Sequence, residues 1–266
     1  MPYKLINAVN PKALTTGIVR AASIDKAKTM HNTEGRKITV TRDGPYRVEG
    51  DIDINIANIG SDANGDSVSW VKGKTFEKGD KPGESSCTDL CRCGHSRSKP
   101  FCDGTHNDAG FCGREQPDKG SYRDRAEVQQ GETLNLMDDP SLCVGARYCD
   151  VGASVWNYAQ NSADPENREM AIRESCKCPS GRLTVVDEDG KAIEPSLSPA
   201  IGVVNDPINN CRGPLWVQGG IPIEGENGER YETRNRVTLC RCGESSNQPY
   251  CDGSHYNCHN MKGLDK

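Results

Sequence analysis

The sequence predicts an α+β, strand-dominated fold, and three observations carry that prediction. Hydrophobic residues are 34% and aromatics 5% of the 266 residues, too few for one large helical core. Twenty-eight glycines and fifteen prolines punctuate the whole chain, which keeps regular elements short. The chain also repeats itself, and a fixed-offset repeat dictates architecture before any single element does. Cys91 to His106 reads CRCGHSRSKPFCDGTH and Cys240 to His255 reads CRCGESSNQPYCDGSH, at an offset of 149. Upstream, Gly44 to Ile54 (GPYRVEGDIDI) and Gly213 to Ile223 (GPLWVQGGIPI) align at an offset of 169. The 20-residue difference places an insertion in the first copy, around the polar, Gly-rich stretch Ile59 to Gly83.

Taken in order, residues 1–36 form an N-terminal extension without a recognisable site, expected to be loosely ordered as chain ends often are. Residues 37–131 form the first half, in which Tyr46, Val48, Ile52 and Ile54 keep the alternation of a half-buried strand ahead of the cysteine motif. Residues 132–195 differ in character and hold their own cysteines, Cys143, Cys149, Cys176 and Cys178. There Asp164-Pro165 predicts a helix start, an N-cap acid followed by proline at the first helical position, and Pro179 ends it. The apolar face of that helix is weak, carried by Met170 and Ile172. In LTVVDEDGKAIEP, Asp189-Gly190 between short apolar runs signals a hairpin. Residues 196–266 form the second half, where Leu215, Val217, Ile221 and Ile223 repeat the strand pattern before the second motif.

Charge and composition exclude several classes. A net charge of -5 with no basic stripe argues against an obligatory nucleic-acid partner. No run approaches the ~18 apolar residues of a membrane span. The first residues lack a signal peptide's apolar segment, so the expectation is a soluble, cytoplasmic chain. Fourteen cysteines would suggest disulfides in a small secreted domain, but a long chain without a signal points to metal. No Ser/His/Asp or paired-carboxylate set and no nucleotide or flavin loop argues for catalysis, so a carrier is expected rather than an enzyme.

Each repeat supplies three thiolates and one imidazole: Cys91, Cys93, Cys102 and His106 in the first, Cys240, Cys242, Cys251 and His255 in the second. Four ligands close one tetrahedral metal or one [2Fe-2S] cluster. Structural zinc sites usually separate their first two cysteines by two to four residues, whereas C-x-C on an extended backbone can aim two sulfurs at one iron. Zinc remains the alternative occupant. The pattern C-x-C-x2-S-x3-P-x-C-D-G-[ST]-H resembles the signature of the CDGSH iron-sulfur proteins, the NEET family, at every fixed position. That resemblance implies a [2Fe-2S] cluster at each motif under a β-cap whose strands exchange between subunits. With both halves in one chain it implies an intramolecular pseudo-dimer, hence a monomer, with Gly44 to Ile54 and Gly213 to Ile223 as cap strands.

The other fixed residues have proposed roles. Pro100 and Pro249 stiffen the turn before the third cysteine. Asp103 and Asp252 cap a short helix facing the anionic cluster, and Gly104 and Gly253 allow close backbone approach. Ser96 and Ser245 are candidates for hydrogen bonds to sulfide. A histidine ligand makes the centre less negative than a fourth thiolate would, raising its potential and tying it to pH. His106→Cys or His255→Cys is therefore expected to slow cluster loss at mild acid; equal decay of mutant and parent in absorbance would refute this.

In the middle segment, Cys143 and Cys149 followed by Cys178-Pro179 resemble the divergent mono-cluster ferredoxin domain that accompanies CDGSH motifs in some proteins, with C-P-S-G-x-L at Cys178 to Leu183. That implies a [3Fe-4S] cluster, or a [4Fe-4S] cluster completed by a non-cysteine ligand or by Cys176; the alternative is a set of buried thiols. Cys87, Cys112, Cys211 and Cys258 are read as core or free thiols, Cys87 because its counterpart is Arg236. His31, His95 and His259 are read as surface residues. His95 and Lys99 against Glu244 and Gln248 make the first motif the more basic. The expected function is single-electron transfer among these clusters and a redox partner protein. Donation of labile [2Fe-2S] units to an apo-protein acceptor is the alternative from another class, and a structural zinc protein the third.

Overall fold

The computed structural model describes residues 33–77, 87–117 and 120–266. The expectations for the first 32 residues, for His31 and for the end of the 59–83 stretch lie outside them. The first half contributes β1 (Lys37–Val40), β2 (Tyr46–Glu49), β3 (Asp53–Ser61), β4 (Ser67–Thr75) and β5 (Cys87–Leu90). The middle segment begins ahead of the expected boundary at residue 132, since β6 pairs with β7: it contributes α1 (Tyr122–Arg125), β6 (Glu127–Gln129), β7 (Asn135–Asp138), α2 (Val155–Gln160), α3 (Pro165–Lys177), β8 (Leu183–Val186) and β9 (Ala192–Ile193). The second half contributes β10 (Ala200–Asp206), β11 (Cys211–Gln218), β12 (Ile223–Glu224) and β13 (Arg236–Leu239).

The two halves build matching sheets by exchanging a strand. One sheet runs β12-β1-β2-β5 and the other β13-β11-β10-β3-β4, so each receives a strand from the other half. The registers match: Ile38 of β1 sits beside Ile223 of β12, and Ile201 of β10 beside Ile54 of β3, both in parallel pairing. Ile54 and Ile223 are the repeat equivalents at the 169 offset, so the exchange obeys a pseudo-twofold within one chain. Each supposed cap strand proves to be two. Gly50 after β2 and Gly219-Gly220 after β11 adopt positive φ, and the chain turns there and crosses to the opposite sheet. Ile38, Ile54, Ile201, Val203, Leu215, Val217, Ile223 and Leu239 are all buried in one shared cluster. At about 1.5–3 kcal/mol per buried aliphatic side chain, that cluster is what makes neither half independent.

The inserted stretch of the first half is ordered as the β3–β4 hairpin, and it has a partner. Trp70 Nε1 donates to the Lys177 carbonyl (3.1 Å), Lys177 Nζ to the Val68 carbonyl (2.5 Å) and the Tyr148 hydroxyl to the Ser69 carbonyl (2.7 Å). The insertion therefore holds the middle segment, whose own sheet runs β6-β7-β8-β9. α3 begins as its sequence predicts: Asp164 accepts from the amides of Glu166 and Asn167, and Pro165 occupies the first turn. The turn at Asp187–Lys191 closes β8 onto β9, with Val186 opposite Ala192. The short α2 carries no sequence signal of comparable strength, and tertiary contact with α3 and β7 defines it.

One buried group of α3 is at odds with its surroundings. Glu174 is 2% exposed, and neither of its carboxylate oxygens has a hydrogen-bond partner among the described residues. Burial pushes its carboxyl up to about 7. As pH rises from the ordinary glutamate range toward that value, the unfolded chain releases a proton that the folded chain keeps, so stability falls. Glu174→Gln is expected to raise the melting temperature near about pH 8 and to leave it unchanged near about pH 4, by calorimetry. An equal shift at both would show that the carboxylate charge is not the cause.

Candidate metal centres

Both cysteine motifs are built as hairpins stapled to the end of a strand. In the first, the Cys91 amide donates to the Pro100 carbonyl (2.8 Å), Cys102 N to Asp89 O (2.9 Å) and Phe101 N to Ser98 O (2.9 Å). In the second, Cys240 N meets Pro249 O (2.8 Å), Cys251 N meets Thr238 O (2.9 Å) and Tyr250 N meets Asn247 O (2.9 Å). Leu90–Phe101 and Leu239–Tyr250 bridges close the two hairpins in the same way. A cis peptide precedes both Pro100 and Pro249. The loop thereby returns the third cysteine alongside the C-x-C pair.

The donors arrive in pairs. Cys91 and Cys93 sulfurs are 3.8 Å apart and Cys240 and Cys242 sulfurs 3.5 Å apart. Cys102 Sγ lies 3.3 Å from His106 Nδ1, and Cys251 Sγ 3.4 Å from His255 Nδ1. Two sulfurs bound tetrahedrally at about 2.3 Å stand about 3.8 Å apart, and a sulfur and an imidazole nitrogen at about 2.0–2.1 Å stand about 3.5 Å apart. Each pair thus fits one shared metal atom, and each motif offers two such pairs. Among the described residues, no three His, Cys, Asp or Glu groups are gathered as a single-ion cage.

Amides converge on these sulfurs. The backbone of Gly94 and Ser96 serves Cys91, lowering its thiol to about 6 together with its contact to Cys93, which comes first. Cys240 is lowered to about 7 by Cys242 first, then by the amides of Ser245, Cys242 and Gly243 against the opposing effect of burial. His95 N donates to Cys93 Sγ at 3.4 Å. Such donors favour the thiolate form a metal requires.

The smaller residues take roles partly different from those the sequence suggests. Asp103 accepts from the amides of Arg97 (2.8 Å) and Thr105 (3.1 Å), and Asp252 from Ser246 (2.8 Å) and Ser254 (3.0 Å). They tie two segments of the loop together, while Gly253 is the residue preceding the single 3-10 turn that follows. Ser96 and Ser245 donate to the Phe101 and Tyr250 carbonyls, both at 2.6 Å, so their protons are spent on the loop itself. Gly104 is required for its positive φ, since a Cβ there would meet nothing within 4 Å. His95 and His259 are exposed.

The two sites differ sharply in cover. Cys102 and His106 are partly exposed, whereas Cys251 and His255 are each 2% exposed. Burial, first among the causes, lowers the His255 imidazole to about 4, so it is neutral and available as a ligand at neutral pH. Residues without motif signals supply the cover. Tyr46, from the first half, places its hydroxyl 2.7 Å from the Cys240 carbonyl. Cys211 and Cys258 join Cys240 and Cys242 in one buried cluster. The Tyr256 ring stacks on His255 with centroids 4.3 Å apart. The middle segment completes the enclosure, because Val144, Ala146 and Tyr148 pack in a cluster with Cys251.

A buried arginine inside each C-x-C was also missed, although CRC stands in both repeats. Arg92 reaches the Thr41 and Gly113 carbonyls. Arg241 reaches the carbonyls of Gly213 (2.6 Å) and Val204 (3.1 Å) and the Asp265 carboxylate (2.6 Å). Each arginine ties its motif to backbone carbonyls outside it.

In the middle segment, Cys143, Cys149 and Cys178 share one neighbourhood: after burial, the charges of Cys178 and Cys143 act on the Cys149 thiol, pushing it up to about 12, while Arg182 opposes them. Arg182 is held there by Asp138, at 2.6 and 2.9 Å. The structure parts Cys176 from this set, its thiol pointing to the Ile193 carbonyl (3.7 Å), because it lies two residues earlier on α3 and on another face. Cys112 is exposed and Cys87 partly so.

Comparison with known proteins agrees with this arrangement. Residues 43–107 and 212–256 match the family described as iron-binding zinc finger, CDGSH type, and residues 129–188 match the divergent 4Fe-4S mono-cluster family. No curated protein and no solved structure matches the chain. No helix of the described residues is long and apolar enough to cross a membrane. With its paired thiolate and imidazole donors and these matches, the chain is a tandem CDGSH-type iron-sulfur protein that carries a divergent mono-cluster domain between its two CDGSH regions.

Proposed function

We propose that the chain is a monomeric single-electron carrier with one [2Fe-2S] cluster at each CDGSH motif and a third, [3Fe-4S] or [4Fe-4S], at Cys143, Cys149 and Cys178. The observation that carries this reading is the paired spacing of the donors, two metal-sharing pairs per motif. Iron-sulfur centres supply one-electron chemistry without bond rearrangement in the protein. The chain's own residues would hold the ligands, direct backbone amides at the sulfurs and shield the second site from water. In the first site the Cys102–His106 pair reaches the surface, where a redox partner protein can dock.

Anaerobic purification with iron, sulfide and zinc counted per chain, followed by absorbance and EPR spectra, tests the assignment. About four irons with a reduced rhombic signal would leave the middle cysteines as scaffold; about seven or eight would establish three clusters. Zinc without colour would sink the redox reading.

The exposure of Cys102 and His106 also supports a second reading, delivery of the first cluster to an apo-protein acceptor. Either way, a chelator or mild acid is expected to empty the first site well before the second, because Cys251 and His255 are enclosed. Cluster loss followed in Cys91→Ser and Cys240→Ser proteins, each keeping one intact motif, checks this order. Equal rates would show that burial does not govern release.

A further inference from the structure

Cys143 and the second CDGSH motif meet directly: a Cβ on Gly253, two residues after Cys251, would come 3.1 Å from the Cys143 carbonyl. Tyr256, the neighbour of His255, lies across the same loop. A Cβ on Gly145 would come 2.6 Å from the Tyr256 ring, and the ring's hydroxyl is 3.0 Å from the Gly145 carbonyl and 2.7 Å from Asp206. Arg147, paired with Asp206 at 2.7 and 3.1 Å, also donates to that hydroxyl at 3.2 Å. The first motif has no equivalent seat. A Cβ on its Gly104 would meet nothing within 4 Å, and the residue aligned with Tyr256 is the exposed Asn107.

The second motif also touches the first. A Cβ on Gly94 would come 2.7 Å from the Cys242 carbonyl, and one on Gly243 2.8 Å from the Cys93 carbonyl. The two C-x-C turns thus approach each other across the pseudo-twofold at these two glycines, with Asn260 Nδ2 also 2.7 Å from the Gly94 Cβ position. The second motif thus touches both the first motif and the loop that carries Cys143.

We propose that the three centres form a line with the second CDGSH site in the middle, and that Tyr256, seated between His255 and the loop carrying Cys143 and Gly145, positions the middle cysteine set against that site. This deepens the cluster assignment above and rests on it. One electron leaves one centre and arrives at the next, so the donor centre is oxidised by one electron as the acceptor is reduced, and no bond breaks. The covered second site then serves as an internal relay, and the partly exposed first site as the outlet.

The test is progressive power saturation of EPR signals from the full-length protein reduced with dithionite, with iron and sulfide counted on the same samples. In the parent, the middle-set signal should relax fast through spin coupling to a reduced neighbour. Cys240→Ser with Cys242→Ser should abolish that fast relaxation, while Cys91→Ser with Cys93→Ser should leave it unchanged. Tyr256→Leu at full iron content should weaken it, and Tyr256→Phe, which keeps the ring, should restore it. The line would be overturned if removal of the first site changed the middle signal as much as removal of the second, or if a slow parent signal showed no coupling at all. Wild-type relaxation in iron-replete Tyr256→Leu would overturn the role of Tyr256. Should the parent itself bind no iron at Cys143, Cys149 and Cys178, the cluster assignment fails and the line with it, an outcome the metal count separates from missing coupling.

Discussion

Replacing Arg236 by leucine is expected to destabilise the fold by about 3–5 kcal/mol and to loosen the middle segment selectively. Arg236 opens β13, and its side chain is wholly buried where the second half meets the middle segment. It donates to the carbonyls of Ser175 (2.6 Å), Cys178 (2.7 Å) and Leu183 (3.3 Å) and pairs with Glu194 at 2.8 Å. Leucine would fill part of the space but leave three carbonyls without their donor, at about 1 kcal/mol each or more, besides the stranded carboxylate. Glu194, partly open to solvent, would recover some hydration, which keeps the loss toward the lower end of that range. Because the Cys178 carbonyl is among the partners, the cluster assignment proposed above predicts that iron at Cys143, Cys149 and Cys178 is lost first while both CDGSH motifs keep theirs. Urea unfolding followed by circular dichroism, with iron counted on the folded protein, reads both effects. Uniform iron loss from all three sites would show that Arg236 serves the whole fold rather than the middle segment.

A comparable loss, about 3–5 kcal/mol, is expected from Arg241→Met, because both members of its pair are buried. Arg241 and Asp265 are 1% and 2% exposed at 2.6 Å, and Arg241 first among several charges offsets the burial of Asp265 and holds its carboxyl below the ordinary range. The native pair keeps its contribution at neutral pH and loses it only as pH falls through that depressed value, when Asp265 takes up a proton. Removing Arg241 leaves a buried carboxylate with Arg212 at 3.4 Å and the charge of Lys99 to offset it. Adding Asp265→Leu should return much of the stability, since a buried ion pair replaced by apolar groups is often neutral. Thermal unfolding of the two single variants and the double variant settles this, and a double variant no better than Arg241→Met would mean that the carbonyls of Gly213 and Val204, rather than Asp265, set the cost.

The comparison of Cys87 with Arg236 shows how far the repeat could be read. These residues occupy equivalent first positions of β5 and β13, as the 149 offset demands, yet one is a partly exposed thiol and the other a buried anchor. Equivalent positions diverged because the middle segment packs over β13, while its first-half contacts go to the β3–β4 hairpin, which lies in the sheet of β13 and not in that of β5. The same holds for Asn107 and Tyr256, and for Gly104 and Gly253. A repeat announces where a strand or ligand falls; it is silent on what lies over it.

By itself the sequence determined the strand-dominated class, the α3 boundaries, the β8–β9 turn and the paired motifs, because each rests on spacing along the chain: period-two burial, an N-cap acid before proline, C-x-C followed by a returning cysteine. The parting of Cys176 from Cys143, Cys149 and Cys178, the splitting of each cap strand into two and the enclosure of the second site alone were decided only in the tertiary structure. Those features depend on residues far apart in sequence, such as Tyr46 with Cys240, Trp70 with Lys177 and Gly145 with Tyr256. No local period encodes such contacts; they exist because two half-cores, each too small to close alone, bury their strands together and leave one face for the middle segment to cover.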